Sequence, residues 1–187
     1  KELQGLANRS DFDLKQHQTH SKKDLTLFDE AAKQKILPYV IEPSTGVDRT
    51  LLTLLVDAYT EKQDKEGVKV VLKLSPKVAP VKAAVFPLMK KDGLSEKARE
   101  VYRLLKECVS PVDYDEGGSI GKRYARHDEI GTPYCITVDY ETLEGTAKDT
   151  VTLRERDSGE QKRVSLANLP ELLKELIEEK KTFKEIG

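Results

Sequence analysis

Residues 35–55, KILPYVIEPSTGVDRTLLTLL, constrain this chain more than any other stretch. An apolar run ends at Glu42, a Pro-Ser-Thr-Gly segment follows, and Asp48-Arg49 opens a strongly hydrophobic segment. The pattern predicts strand, tight turn and helix, with the strand over 36–41 and the turn punctuated by Pro43 and Gly46. Asp48 is expected to cap the helix, because a carboxylate there accepts from backbone N–H groups that lack intrahelical partners. Leu51, Leu52, Leu54, Leu55, Val56, Ala58 and Tyr59 leave the helix little polar face, so it is expected to be mostly buried.

Arg49 is the anomaly. A cation in the first turn opposes the positive end of the helix dipole. The placement is useful if Arg49 and the helix N-terminus converge on one anion, most simply a phosphate. Glu42 then supplies the opposite charge, and the pair suits a substrate with one cationic and one anionic end. A plainer reading stands beside it: Glu42 and Arg49 pair with each other, or with Asp48, at an ordinary strand–helix junction.

The segment PYVIEPSTGVDRTLLTLLVDAY resembles motif 3 of the glycyl-tRNA synthetases, class II aminoacyl-tRNA synthetases. KELQGLANRSDFDLKQHQTHSKKDL is similar to the stretch that precedes motif 3 in that family, and GGSIGKRYARHDEIGTPYCITVDYETLEGTAKDTVTLRERDSGEQKR resembles its anticodon-binding domain. Together these cover nearly the whole chain in the family's order. The resemblance implies an α/β (α+β) fold. Residues 1–63 are expected to be the C-terminal portion of an antiparallel class II catalytic sheet, and 64–187 a mixed-sheet anticodon-binding domain. Motifs 1 and 2 are not visible and the chain starts at Lys1 without a methionine, so it reads as the C-terminal part of a longer enzyme.

The implied activity is ligation of glycine to tRNA(Gly) through glycyl-adenylate, with ATP and Mg2+. The family's pattern puts ATP phosphate on Arg49, with Gly46, Val47 and Asp48 shaping the nucleotide contact and Glu2 and Leu3 lining it. A planar guanidinium grips two phosphate oxygens where an ammonium grips one. Glycine falls to Glu2, Glu42, Pro43, Ser44, Thr45 and Gly46; no magnesium ligand is named. Without the resemblance, Glu2 is an exposed terminal charge and Ser44 a turn hydroxyl bonded to nearby backbone. Asp11 and Asp13 read as the polar side of a strand or turn, and Arg9 as support for the site. The family also implies a cytoplasmic homodimer. Two competing readings are a non-catalytic synthetase-like accessory protein that binds nucleic acid, and an anticodon-binding module with a vestigial catalytic tail.

Composition narrows the partners. With 32 basic and 33 acidic side chains among 187 residues, the net charge is −1, which does not describe a generic polyanion binder. Any RNA contact must come from a local patch. Lys122, Arg123, Arg126 and His127, interleaved with Tyr124, form the compact basic cluster; helical spacing pairs 122 with 126 and 123 with 127. Lys122, Arg123 and Arg126 are therefore candidates for tRNA phosphate. The alternative is a helix whose charges pair with Asp115, Glu116, Asp128 and Glu129. Arg154 and Arg156 are a weaker second set.

Cys108 and Cys135 show no metal spacing and are expected as buried, reduced thiols, which suits a cytosolic setting. His17, His20 and His127 make no zinc set with them. No apolar run approaches the about 20 residues of a membrane span. Along the chain, 16–35 reads as a polar connection and EKQDKEG (61–67) as a linker. Strands are expected at 68–74, 83–89, 112–114 and 133–139, and a hairpin pairs 150–156 with 161–164. Helices are expected from Ser95, over 119–129 up to Gly131, and from Ser165 or Asn168. The Lys/Glu-rich C-terminus reads as a fraying helix end.

Overall fold

In the computed structural model, which describes residues 2–64 and 67–186, the chain parts into two compact units, 1–54 and 55–187. In the first, strand β1 (Gln4–Asn8) pairs antiparallel with β4 (Ile41–Thr45). Between them lie helix α1 (Phe12–Ser21) and a short hairpin of β2 (Leu27–Asp29) and β3 (Gln34–Ile36). Helix α2 (Val47–Ala58) follows β4 directly.

Several expectations need correction here. The strand is not 36–41. Pro38 has no N–H to give a ladder, residues 37–40 are irregular, and β4 begins at Ile41 and runs through the predicted turn. Pro43 is tolerated because β4 pairs on one side only, with β1. Residues 16–35 are not a plain connection, since α1 and the β2–β3 hairpin occupy most of them. Asp13 lies on α1 rather than on a strand. Helix α1 buries none of its residues, so no apolar stripe announced it. Asp48 does not cap α2: the helix starts one residue earlier, and Gly46 O receives the Thr50 N–H at 2.9 Å. Asp48 sits in the first turn, where its charge still favours the dipole.

The expected burial of α2 is also overturned. Leu51 is 56% and Leu52 62% exposed, and Ala58 alone in this helix is buried. Among the described residues of 1–54 none is buried. A two-stranded sheet with one short hairpin has too little surface to enclose a core.

The second unit opens with an antiparallel hairpin, β5 (Tyr59–Asp64) and β6 (Gly67–Leu72). The predicted linker 61–67 is thus mostly strand, with the backbone ladder of β5 and β6 supplying the pairing. Its residues 65 and 66 lie outside the described residues. Then come β7 (Ala83–Pro87), α3 (Leu94–Cys108), β8 (Val112–Tyr114), α4 (Ile120–Glu129), β9 (Tyr134–Val138), α5 (Tyr140–Leu143), β10 (Thr150–Glu155), β11 (Gln161–Ser165), α6 (Leu169–Ile177) and a 3-10 turn, Phe183–Glu185. The sheet order is β11-β10-β9-β7-β8; β8, β7 and β9 are parallel, while β10 and β11 run antiparallel.

All five residues of β7 and of β9 are buried, as strands covered on both faces require. Alternation divides them. Ala83, Val85, Ile136 and Val138 pack with Leu94, Val101 and Leu105 of α3 and with Leu169 and Leu173 of α6. Ala84, Phe86 and Cys135 face Ile120 and Tyr124 of α4. This is the mixed α/β class that the alternating elements predict.

Smaller corrections remain. Ser95 is not the cap of α3, which starts at Leu94 after Gly93 at φ +81°. Cys108 is exposed on the last turn of α3, while Cys135 is buried and its thiol pushed up by that burial. The C-terminus does not fray, because Phe183 and Ile186 fold back into the main core.

Candidate functional site

Register places the motif of the first unit. Gly5 faces Ser44 and Ala7 faces Glu42 across the β1–β4 ladder, so these four share one face of the sheet. The two small residues leave that face open between a hydroxyl and a carboxylate. A Cβ on Gly5 would stand 2.7 Å from Glu2 Oε1 and 3.4 Å from Ser44 Oγ, so glycine there admits the Glu2 carboxylate beside the hydroxyl. Pro43 pairs with Leu6 on the opposite face and is left out of the arrangement.

Next to this face lies an open cleft of about 610 Å³, lined by Glu2, Leu3, Ser44, Thr45 and the turn 46–49. The structure thus gathers the residues assigned to nucleotide, Glu2, Leu3, Gly46, Val47, Asp48 and Arg49, around one depression. The Arg49 guanidinium donates to the backbone carbonyl of Glu2. It pairs with neither Glu42 nor Asp48. Glu42 has a different partner, Arg9, at 3.2 Å. Arg9 also donates to Asp13, Nη2 to Oδ1 at 2.9 Å. That bond raises the arginine's pKa and, from the other side, lowers that of the Asp13 carboxyl. The side chain expected to give support therefore bridges β4 to α1. An anion in the cleft would meet the Arg49 fork and the first N–H groups of α2. A small ammonium would meet Glu2, Ser44 and Glu42.

The basic cluster of the second unit splits by helical phase. Lys122 and Arg126 lie on the outer face of α4, and Arg123 and His127 are buried. Arg123 is 2% exposed, and its guanidinium donates to Pro87 O and Gly118 O. Its candidacy for tRNA phosphate is corrected: the side chain ties β7 to the turn before α4. The signal was present, since Ile120, Arg123, Tyr124 and His127 follow i, i+3, i+4, i+7 spacing, the mark of an inward stripe.

His127 packs on Phe86 with ring centroids 5.1 Å apart, and Nδ1 meets Thr132 Oγ1 at 3.1 Å. Burial pushes its pKa down. Arg126 pairs with Asp115 and donates to Gly117 O at 2.7 Å, so its charge is partly committed, as the alternative reading held. Of the hairpin arginines, Arg156 is buried and donates to Gly131 O and Leu74 O, both at 2.8 Å, which removes it from the surface. Arg154 holds Asp128 with two bonds, 2.8 and 3.0 Å, and lies over the Tyr124 ring at 4.7 Å. Among the described residues no three His, Cys, Asp or Glu side chains gather as a metal site. No helix among them is long and apolar enough to cross a membrane.

The mixed sheet with helices on both faces defines the class of the second unit. Residues 82–176, from just before β7 into α6, match the family model described as the anticodon binding domain, and the chain belongs to that family. Over 178 residues, 95% of the chain, it is 53% identical to the glycine–tRNA ligase of Clostridium tetani. It is 55% identical over 175 residues to that of Alkaliphilus oremlandii, and 52% identical over 177 residues to that of Cutibacterium acnes. These alignments cover 93% and 92% of the chain, respectively. The chain spans about 37% of the length of each of these relatives.

Proposed function

We propose that this chain is part of a glycine–tRNA ligase, with the first unit contributing to the catalytic domain and the second forming the anticodon-binding domain; the boundary expected between residues 63 and 64 moves to before β5, since it would cut that strand. The observation that carries the reading is the cleft in which Arg49, Glu2 and Ser44 meet beside the turn 46–49. In the proposed first step the glycine carboxylate attacks the α-phosphorus of ATP and pyrophosphate leaves. In the second, the terminal ribose hydroxyl of tRNA(Gly) attacks the glycyl carbonyl and AMP leaves.

Such chemistry rests on positioning and on neutralising charge rather than on covalent help from protein. Arg49 and the first turn of α2 hold phosphate oxygens. Glu2, Glu42 and Ser44 orient the ammonium of glycine, over a floor kept low by Gly5 and Ala7. ATP enters as its Mg2+ complex, and the ion adds positive charge that neutralises the triphosphate. Lys122 and Arg126 are proposed to contact tRNA phosphate. A cytoplasmic homodimer completes the proposal.

The experiment is glycine-dependent ATP–pyrophosphate exchange by the full-length protein. Arg49→Ala should lower exchange by about 10²–10³-fold or more, the usual cost of removing one charge-stabilising donor, with tRNA affinity little changed. Exchange at the unmodified rate would remove Arg49 from the mechanism. No exchange by the unmodified protein would favour the accessory-protein reading.

A further inference from the structure

Beyond β1 the backbone pairing continues for one more step. Arg9 N–H donates to Val40 O at 2.9 Å, and Val40 N–H donates to Ser10 O at 2.8 Å. Arg9 stands two residues past Ala7 and so lies on the face that carries Glu42 and Ser44. Ser10, at φ +51° with its N–H bonded to Asn8 Oδ1 at 3.0 Å, then turns the chain into α1. The turn brings Asp13, in the first turn of α1, back onto Arg9.

Two carboxylates thus share one guanidinium. Arg9 Nε lies 3.2 Å from Glu42 Oε2 and also pairs with Asp13 Oδ2, while Nη2 gives Asp13 Oδ1 a second bond at 2.9 Å. Asp13 takes the paired grip of the fork, and Glu42 meets the shared Nε. Asp11, at the start of the same helix, pairs with Lys15 at 2.7 Å. The trio of Asp13, Arg9 and Glu42 holds two negative groups against one positive. A guanidinium left with a single carboxylate neighbour favours the bidentate geometry, which neutralises that carboxylate.

We infer that Asp13 is a positioning residue for the amino-acid substrate: by holding the Arg9 fork it keeps the Glu42 carboxylate charged toward the ammonium of glycine. This role rests on the reading of Glu42 as a glycine contact. It gives α1, a helix that buries none of its residues, a part in the site.

The test is glycine-dependent ATP–pyrophosphate exchange by the full-length protein, with KM measured separately for glycine and for ATP. Asp13→Asn should raise the glycine KM several-fold while kcat and the ATP KM stay near their unmodified values, the pattern of lost binding to one substrate. Asp13→Ser should do the same, so the result does not hang on the folding of one variant. Asp13→Glu should keep most of the unmodified affinity, and Asp11→Asn should change neither KM. Glu42→Gln should raise the glycine KM by itself. Adding Asp13→Asn to it should bring no further rise, because the coupling runs through that carboxylate. An unchanged glycine KM in Asp13→Asn beside a raised one in Glu42→Gln would overturn the positioning role while Glu42 keeps its own. Parallel rises in both KM values would also overturn it, as the mark of general distortion. A glycine KM indifferent to Glu42→Gln would instead overturn the reading on which the role is built.

Discussion

Gly131 meets two independent demands, and replacing it with alanine separates them. The residue follows α4 at φ +83°, in the left-handed region that ends many helices. An alanine there costs about 1–2 kcal/mol from Cβ–carbonyl crowding alone. Its Cβ would also stand 2.9 Å from Leu74 Cδ1, 3.1 Å from Leu72 O and 3.3 Å from Leu72 Cβ. The Leu74 methyl can rotate, but the Leu72 carbonyl belongs to the backbone. Forcing one methyl into such packing costs a further ~1–3 kcal/mol. Gly131→Ala should therefore lose ~2–5 kcal/mol in total. Gly159→Ala is the control. It sits at φ +73° with its nearest atom, Arg154 Nη2, 4.0 Å away, so only the backbone part of about 1–2 kcal/mol applies. Urea unfolding followed by far-UV circular dichroism measures both. Equal losses in the two variants would refute the argument that close approach, and not φ alone, requires glycine at 131.

Two further predictions concern the core. Leu105 is fully buried and Leu52 is 62% exposed, so Leu105→Ala should cost ~2–5 kcal/mol and Leu52→Ala no more than about 0.5 kcal/mol in urea unfolding of this chain; similar losses would contradict the exposed face of α2. His127 is buried against Phe86, with Asp113, Asp115 and Asp128 raising its pKa, Arg126 lowering it, and burial winning, so its pKa lies below the ordinary 6.5. The unfolded chain then takes up the proton first: stability is full above about pH 6.5 and is lost as pH falls toward the folded-state value. His127→Gln should flatten the urea midpoint against pH in that window, and an unchanged slope would exclude the histidine as the cause.

Much of the second unit could be read in advance, for identifiable reasons. The strand expected over 133–139 is a mainly apolar run, Tyr134 to Val138, bounded by Gly131 and Asp139. The hairpin 150–156/161–164 turns on Asp157-Ser158-Gly159, and α4 lies between the capping Ser119 and Gly131. Each signal is local. The misreadings share the opposite character. Helix α1 and strand β5 have no apolar period, because neither element is packed on a core along its length, whereas β6 was legible in the apolar run from Val68. Helix α2 carries Leu51, Leu52, Leu54, Leu55 and Val56, yet these are exposed, because burial depends on what lies opposite and none of the described residues of 1–54 is buried. At the candidate site, Glu42 and Arg49 stand out in the sequence, but Arg9 as the partner of Glu42 depended on the β1–β4 register.

The amino-acid pattern by itself determined where most strands and helices lie from β6 to α6, because dihedral preference and side-chain period act between near neighbours. It also marked the residues 42–49 as unusual. The tertiary structure decided which charges reach solvent. Arg123, Arg126, Arg154 and Arg156 are alike as letters, yet two are buried on backbone carbonyls, one pairs with Asp115 at the surface, and one is clamped between Asp128 and Tyr124. A guanidinium's role is set by the acceptors that distant segments bring within about 3 Å of it. Distance along the chain carries no measure of that.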